Sequence, residues 1–216
     1  MNFRQPAIYI IIAVSLAVAL GWNYYSKNKK TKTTTNTTTT QLSTETKISN
    51  LTNIDPADFD AITKETYTIA TSKSLEANTG NLIAAIEVRV DGNLSPDTIV
   101  TRYVFTSPKD IDNNWVITFS GKSNKYIRML TPVEDFMGKI TPMNTKAWKY
   151  NFVTALQLAE KNGGLAWREK QKLQGVKLTL KHTGAKKWLL WIVEYDGGTD
   201  NFKVQLDANS GRVVVD

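Results

Sequence analysis

The stretch WVITFSGKSNKYIRML, Trp115–Leu130, decides how this chain is read, because it lies without a gap over WIVEYDGGTDNFKVQL, Trp191–Leu206. Trp115 falls on Trp191, Phe119 on Tyr195, Gly121 on Gly197 and Tyr126 on Phe202. Each copy holds a Trp-headed strand, a tight glycine-containing turn and an aromatic-headed return strand, the pattern of a β-hairpin. Two such hairpins in one chain of 216 residues point to an internal duplication.

Outward from the hairpins the same logic continues. In the first set Ile86, Val88 and Val90 alternate with Glu87, Arg89 and Asp91. Ile99–Phe105, Trp115–Ser120 and Tyr126–Leu130 then read as strands, separated by Gly92, Ser107-Pro108, Asn113-Asn114 and Gly121. In the second set Val176, Leu178 and Leu180 alternate with Lys177, Thr179 and Lys181, and Trp188–Tyr195, Phe202–Leu206 and Val213–Val215 follow. A helix precedes each set. Asp55-Pro56-Ala57-Asp58 is a helix start, and Phe59, Ile62, Thr66, Ile69 and Lys73 mark one face of a helix over about Ala57–Leu75. Asn144 caps a second helix with the face Trp148, Phe152, Ala155, Leu156 and Ala159, which Asn162-Gly163-Gly164 ends. The expected fold class is α+β, as two tandem units over residues 54–138 and 139–216, each a helix on an antiparallel sheet of about four strands.

Ahead of these units the composition changes. Ala7–Leu20 is AIYIIIAVSLAVAL, without a charge, and extension to Tyr25 gives nineteen residues, enough to span a bilayer as a helix. Residues 1–26 are therefore expected to be a transmembrane anchor, with Trp22, Tyr24 and Tyr25 at the headgroup level. Ala17-Val18-Ala19 has the form of a signal peptidase site, but the apolar run continues through Leu20, which favours an uncleaved anchor. Residues 27–53 form a flexible linker: ten of the sixteen residues in Thr31–Thr46 are Thr, with almost nothing apolar to bury. As a coil its reach is about 29 Å. Asn36 and Asn50 stand in N-glycosylation patterns. Only Arg4 precedes the apolar segment while Lys27, Lys29, Lys30 and Lys32 follow it, which by the positive-inside rule places the units in the cytoplasm. The Thr-rich stalk and the absence of cysteine favour export, so the carboxy-terminal units are expected outside the cytoplasm of a single-pass membrane protein.

Composition narrows the chemistry. Without cysteine there are no disulfides, thiol nucleophiles or Cys-ligated metals, and the single His182, in a hairpin turn, leaves no His-based metal site or Ser-His-Asp triad. Neither a GxxxxGK[ST] nor a GxGxxG loop is present. Asp55, Asp58 and Asp60 sit in a helix start, Asp110 and Asp112 in a turn, and Glu134-Asp135 after Pro132 reads as one more helix start. No catalytic residue, cofactor site or metal site is expected.

The second unit, with its helix, Trp188 and Trp191-Ile192-Val193, and the closing Val204-Gln205-Leu206-Asp207-Ala208-Asn209-Ser210-Gly211-Arg212-Val213, resembles a PepSY domain. That family is named after peptidase propeptides, and its closing segment has the form V-D-A-x-T-G-x-V, with Ser210 here in place of Thr. The first unit departs further, carrying Thr131-Pro132-Val133-Glu134-Asp135-Phe136 where the turn would stand. The resemblance implies a non-catalytic module that modulates a peptidase or an envelope enzyme. The turn also has a local reading, since Asn209, Ser210 and Gly211 are the residues that reverse a chain.

Charge supplies the candidate site. Asp55–Met137 holds 8 basic and 12 acidic residues, whereas Lys139–Asp216 holds 13 basic and 7 acidic. Arg168, Lys170, Lys172, Lys177, Lys181, Lys186 and Lys187 fall in or beside the first hairpin of the second unit, and Lys177 and Lys181 share one strand face. A basic stripe there would dock an anionic wall polymer, lipid headgroups or an acidic partner, with nucleic acid disfavoured. Trp188 and Trp191 are separated by an odd offset and face opposite sides of the sheet, which makes Trp188 a candidate aromatic contact. The expected function is a non-catalytic, membrane-anchored, extracytoplasmic binding or regulatory module; the alternative is a structural or adhesive surface protein.

Overall fold

The computed structural model describes residues 50–183 and 188–215; the expected anchor and most of the linker lie outside the described residues. Helix α1, Pro56–Ala77, begins where the capping signal placed it, with Asp55 Oδ1 accepting from the Ala57 N–H at 2.9 Å and Pro56 at the first position. Its buried face is Phe59, Thr63, Thr66, Ala70 and Ser74, one step round from the expected row through Ile62, Ile69 and Lys73. The small side chains let the helix lie close to the sheet, where Thr66 Oγ1 meets the Tyr103 hydroxyl at 2.8 Å.

Seven strands follow: β1 Leu82–Asp91, β2 Val100–Ser107, β3 Asp110–Ser120, β4 Tyr126–Pro132, β5 Gly175–Thr183, β6 Trp188–Asp196 and β7 Asn201–Asp207. They form one antiparallel sheet in the order β4-β3-β2-β1-β5-β6-β7. The first strands of the two expected units meet at its middle, with Val88 opposite Leu178 and Arg89 opposite Lys177. Both sets of strands thus share one sheet, within the compact unit Thr46–Asp216.

This topology corrects the alignment of the repeats. Trp115–Leu130 is the outermost hairpin of its half, β3–β4, whereas Trp191–Leu206 is β6–β7, one strand nearer the middle. By strand order the counterpart of β6–β7 is β2–β3. Period-two burial puts the large apolar side chains of any half-buried hairpin at every second position, so hairpins at different places in the sheet can be superposed in sequence. The fourth strand expected at Val213–Val215 is reduced to one bridge, Leu206 to Val213. Before it, Asp207 Oδ1 accepts from the Asn209 and Ser210 N–H groups and from the Ser210 hydroxyl, and Gly211 takes φ +70°. The hydroxyl of Ser210 makes the turn contact that a Thr there would also offer.

The second helical region is broken. Asn144 caps only a 3-10 turn, Thr145–Ala147, and helix α2, Phe152–Ala159, starts at a separate cap in which Asn151 Oδ1 accepts from the Thr154 N–H. The chain then passes through a π turn, Glu160–Gly164, where Gly163 has φ +108°, into the short helix α3, Leu165–Arg168. Asn162-Gly163-Gly164 therefore kinks the helical path where a stop was expected.

The main core lies between these helices and one face of the sheet, with Ile86, Tyr103, Phe119, Leu178, Trp191, Tyr195 and Leu206 buried in it. On the opposite face the connection after β4 covers Ala85, Val104 and Val116 with Phe136, Met137 and Ile140. Glu134-Asp135 belongs to a turn in that connection and starts no helix. Asp110, Asp112, Asn113 and Asn114 lie inside β3, where a turn was expected, and Asn114 is fully buried with Nδ2 reaching the Phe136 carbonyl. Likewise His182 stands in β5, partly buried, with Nε2 accepting from the Asn144 N–H at 3.3 Å.

Candidate functional site: a charged groove at the middle of the sheet

The helix-free face of β1, β5 and β6 carries the positions that alternate with the core: Glu87 and Arg89 on β1, Lys177, Thr179 and Lys181 on β5, and Ile192 and Glu194 on β6. Asp135, Phe136 and Met137 of the crossing connection form a wall beside them, and together they enclose a groove of about 340 Å³. A second cleft of about 640 Å³ adjoins it, sharing Arg89, Lys177 and Glu194 and continuing to Asp196, Asn201 and Lys203. The two make one concave polar strip along the line where the halves of the sheet join.

Its charges are largely matched. Glu87 is buried, and its Oε1 accepts from Arg89 Nε at 2.8 Å and from Arg102 Nη1 at 2.6 Å. Such a carboxylate is held in place by two guanidinium groups that repay its desolvation. Lys177 Nζ lies 2.6 Å from Glu194 Oε2 across the β5–β6 pair. Lys181, two positions along the same face, has no ion pair among the described residues. Arg89 and Lys177 remain half exposed, and so do Glu194 and Asp135, so the strip presents cations and carboxylates side by side to solvent above the buried Glu87. Among the described residues no group of three or more His, Asp or Glu side chains is placed to hold a metal ion.

The expected basic stripe divides between the two faces. Lys177 and Lys181 line the groove. Arg168 does not; it sits behind the π turn on the helical side, largely buried, with Nε 2.8 Å from Glu160 Oε2. Lys170 and Lys172 are exposed in the loop between α3 and β5, and Lys186 and Lys187 lie outside the described residues. Trp188 and Trp191 part as the odd offset requires. Trp191 is fully buried with Nε1 donating to the Tyr150 carbonyl at 2.8 Å, while Trp188 is 45% exposed at the start of β6. The groove residues that sequence reasoning missed are Glu87, Arg89 and Glu194, with Arg102 behind Glu87 as its second partner. Alternation marked Glu87 and Arg89 as lying opposite the core positions of their strand, but no sequence signal placed β1 beside β5.

No protein-family model matches the chain. No curated protein matches it either. Among solved structures the chain is similar to a protein of Clostridium difficile 630 described as a "putative lipoprotein", with a TM-score of 0.46 and 11% identity over 78% of this chain and 97% of that one. A likeness at that level assigns neither family nor function.

Proposed function

We propose that this chain is a non-catalytic binding or regulatory module that acts outside the cytoplasm, tethered to the membrane by its amino-terminal residues, and that it docks an acidic surface of an envelope protein. The observation that carries the reading is the groove, in which Arg89, Lys177 and Lys181 stand on the sheet face that the helices leave bare. Its floor is rigid because three central strands supply it, and its cations are spaced by the fixed repeat of a strand. That suits recognition of a charged partner, with complementarity setting association rate and specificity. The PepSY resemblance of the second unit supports a peptidase or another envelope enzyme as the partner.

Two measurements test this. On intact cells carrying a carboxy-terminally tagged full chain, added protease is expected to remove the tag while the anchor stays in the membrane fraction; protection until lysis overturns the extracytoplasmic placement. In the second, Lys177→Glu/Lys181→Glu is compared with a deletion strain for envelope proteolysis. Both positions are partly exposed, so the variant is expected to fold and to reproduce the deletion. A deletion strain with unchanged proteolysis sinks the regulatory reading and leaves a structural or adhesive role.

A further inference from the structure

Strands β2 and β3 lose their register near the turn that joins them. Phe105 faces Trp115 and Ser107 faces Asp110, so residues 111–114 of β3 stand against Thr106 alone. A bulge of this kind bends its strand and re-aims side chains. Here it opens a cavity of about 150 Å³ between the end of the β2–β3 hairpin and the connection after β4, with Ile111, Val133, Ile140 and Pro142 as apolar walls. That is room for about five waters or one small organic molecule.

Three polar groups around the cavity keep unused bonding capacity. Asn114 lines it and is fully buried, which puts it at the inner end. Its Nδ2 reaches the Phe136 carbonyl, an acceptor, and this fixes which end of the amide points away. Its Oδ1 is then a buried acceptor with no partner among the described residues. A site that keeps such an acceptor calls for a donor. Lys139 is exposed and Asp110 partly exposed, so these two stand at the mouth. Neither has an ion pair among the described residues, and Asp110 Oδ1 accepts from Asn113 Nδ2.

We propose that this cavity binds a small free α-amino acid, with its carboxylate on Lys139, its ammonium on Asp110 and a side-chain hydroxyl donating to Asn114 Oδ1. A zwitterion matches one cation and one anion at the mouth, whereas a simple anion or cation leaves one of them unpaired beside a like charge. A ligand the size of threonine suits the volume, and its methyl group meets the apolar walls while its hydroxyl meets the amide. The cavity shares no lining residue with the groove at the middle of the sheet, so the inference stands independently of that site and its partner.

Binding of radiolabelled L-threonine to the purified full chain, followed by equilibrium dialysis, tests the proposal. Three competitors each lack one contact: L-valine the hydroxyl, threoninol the carboxylate and 3-hydroxybutyrate the ammonium. Saturable binding of one threonine per chain is expected, with each competitor roughly tenfold weaker than threonine, as for the loss of one polar contact. Lys139→Met changes an exposed side chain, and in that variant threonine and threoninol should compete equally. Asp110→Asn should likewise bring threonine and 3-hydroxybutyrate together. The competitors probe every contact on the unaltered chain, so the proposal stands or falls without the variants. Absence of saturable binding at millimolar threonine, which would leave the cavity to water, overturns it. Valine competing as well as threonine, or undiminished discrimination against threoninol in a folded Lys139→Met, overturns it too.

Discussion

The halves of the sheet place one tyrosine each on the second strand from the middle, and the two differ in how their hydroxyls are held. Tyr103 on β2 lies between Ile86 and Ile117, Tyr195 on β6 between Val176 and Phe202. Both are fully buried under a helix. The Tyr103 hydroxyl meets Thr66 Oγ1 at 2.8 Å, supplied by a continuous helix of 22 residues. The Tyr195 hydroxyl lies under the π turn beside Glu160, with no hydrogen bond of good geometry, and Glu160 spends Oε2 on Arg168. A regular helix delivers a hydroxyl at the right height, whereas the broken one delivers a carboxylate and an ion pair. The Tyr103 site is thus a satisfied one, whereas the Tyr195 site holds a buried hydroxyl and a buried carboxylate oxygen, Glu160 Oε1, without a well-formed bond.

The largest expected effect concerns the two tryptophans that the sequence superposes. Trp191 is 1% exposed in the main core, while Trp115 is only partly buried near the edge. Trp191→Ala should cost about 3–5 kcal/mol. Trp115→Ala should cost about 1–2 kcal/mol. Unfolding midpoints in urea compare them, and equal losses would mean that the hairpins are equivalent in environment despite their different places.

Alkaline pH gives the next effect. Burial pushes the Tyr103 phenol from its ordinary 10 up to about 12, against the opposing hydrogen bond from Thr66. The folded state therefore keeps a proton that the unfolded chain loses, so this contribution is constant below about pH 10 and declines as pH rises through 12. The total loss is roughly 3 kcal/mol. Tyr195 is shifted the same way, by burial first and then by the Glu160 carboxylate. Tyr103→Phe should flatten the fall between pH 10 and 12, and a wild-type curve already flat there would break the account.

The smallest effect sharpens the comparison most directly. Tyr103→Phe at neutral pH removes a made hydrogen bond and leaves Thr66 with its helix carbonyls, a loss of about 1 kcal/mol. Tyr195→Phe removes a buried hydroxyl that has no well-formed bond, so its change should be within about 0.5 kcal/mol of zero or favourable. Thermal unfolding of the pair decides it: a larger loss at Tyr195 would show that Glu160 is a full partner.

Much of the fold was legible along the chain. The alternation Ile86, Val88, Val90 and Leu178, Leu180 named core positions that the sheet buries, and Asp55-Pro56 marked the start of α1. These signals are local, set by the repeat of a strand and by the four unpaired N–H groups of a helix end. The groove was legible only in part. Lys177 and Lys181 could be assigned to one strand face, but their neighbours Glu87 and Arg89 come from a strand nearly ninety residues earlier. Arg168 misled for a related reason: its partner Glu160 reaches it through a helix that kinks at Gly163.

The sequence by itself determined which strand residues face inward, where the first helix begins, and that two sets of strands exist. Those follow from propensity, periodicity and capping, which act over a few residues. Only the tertiary structure decided that β1 meets β5, that one edge is closed by the returning chain and the other left open, and which cations stand together. Strand alternation states which face a residue occupies and is silent about which strand lies beside it; that choice is made when distant apolar faces are buried together under the same helices.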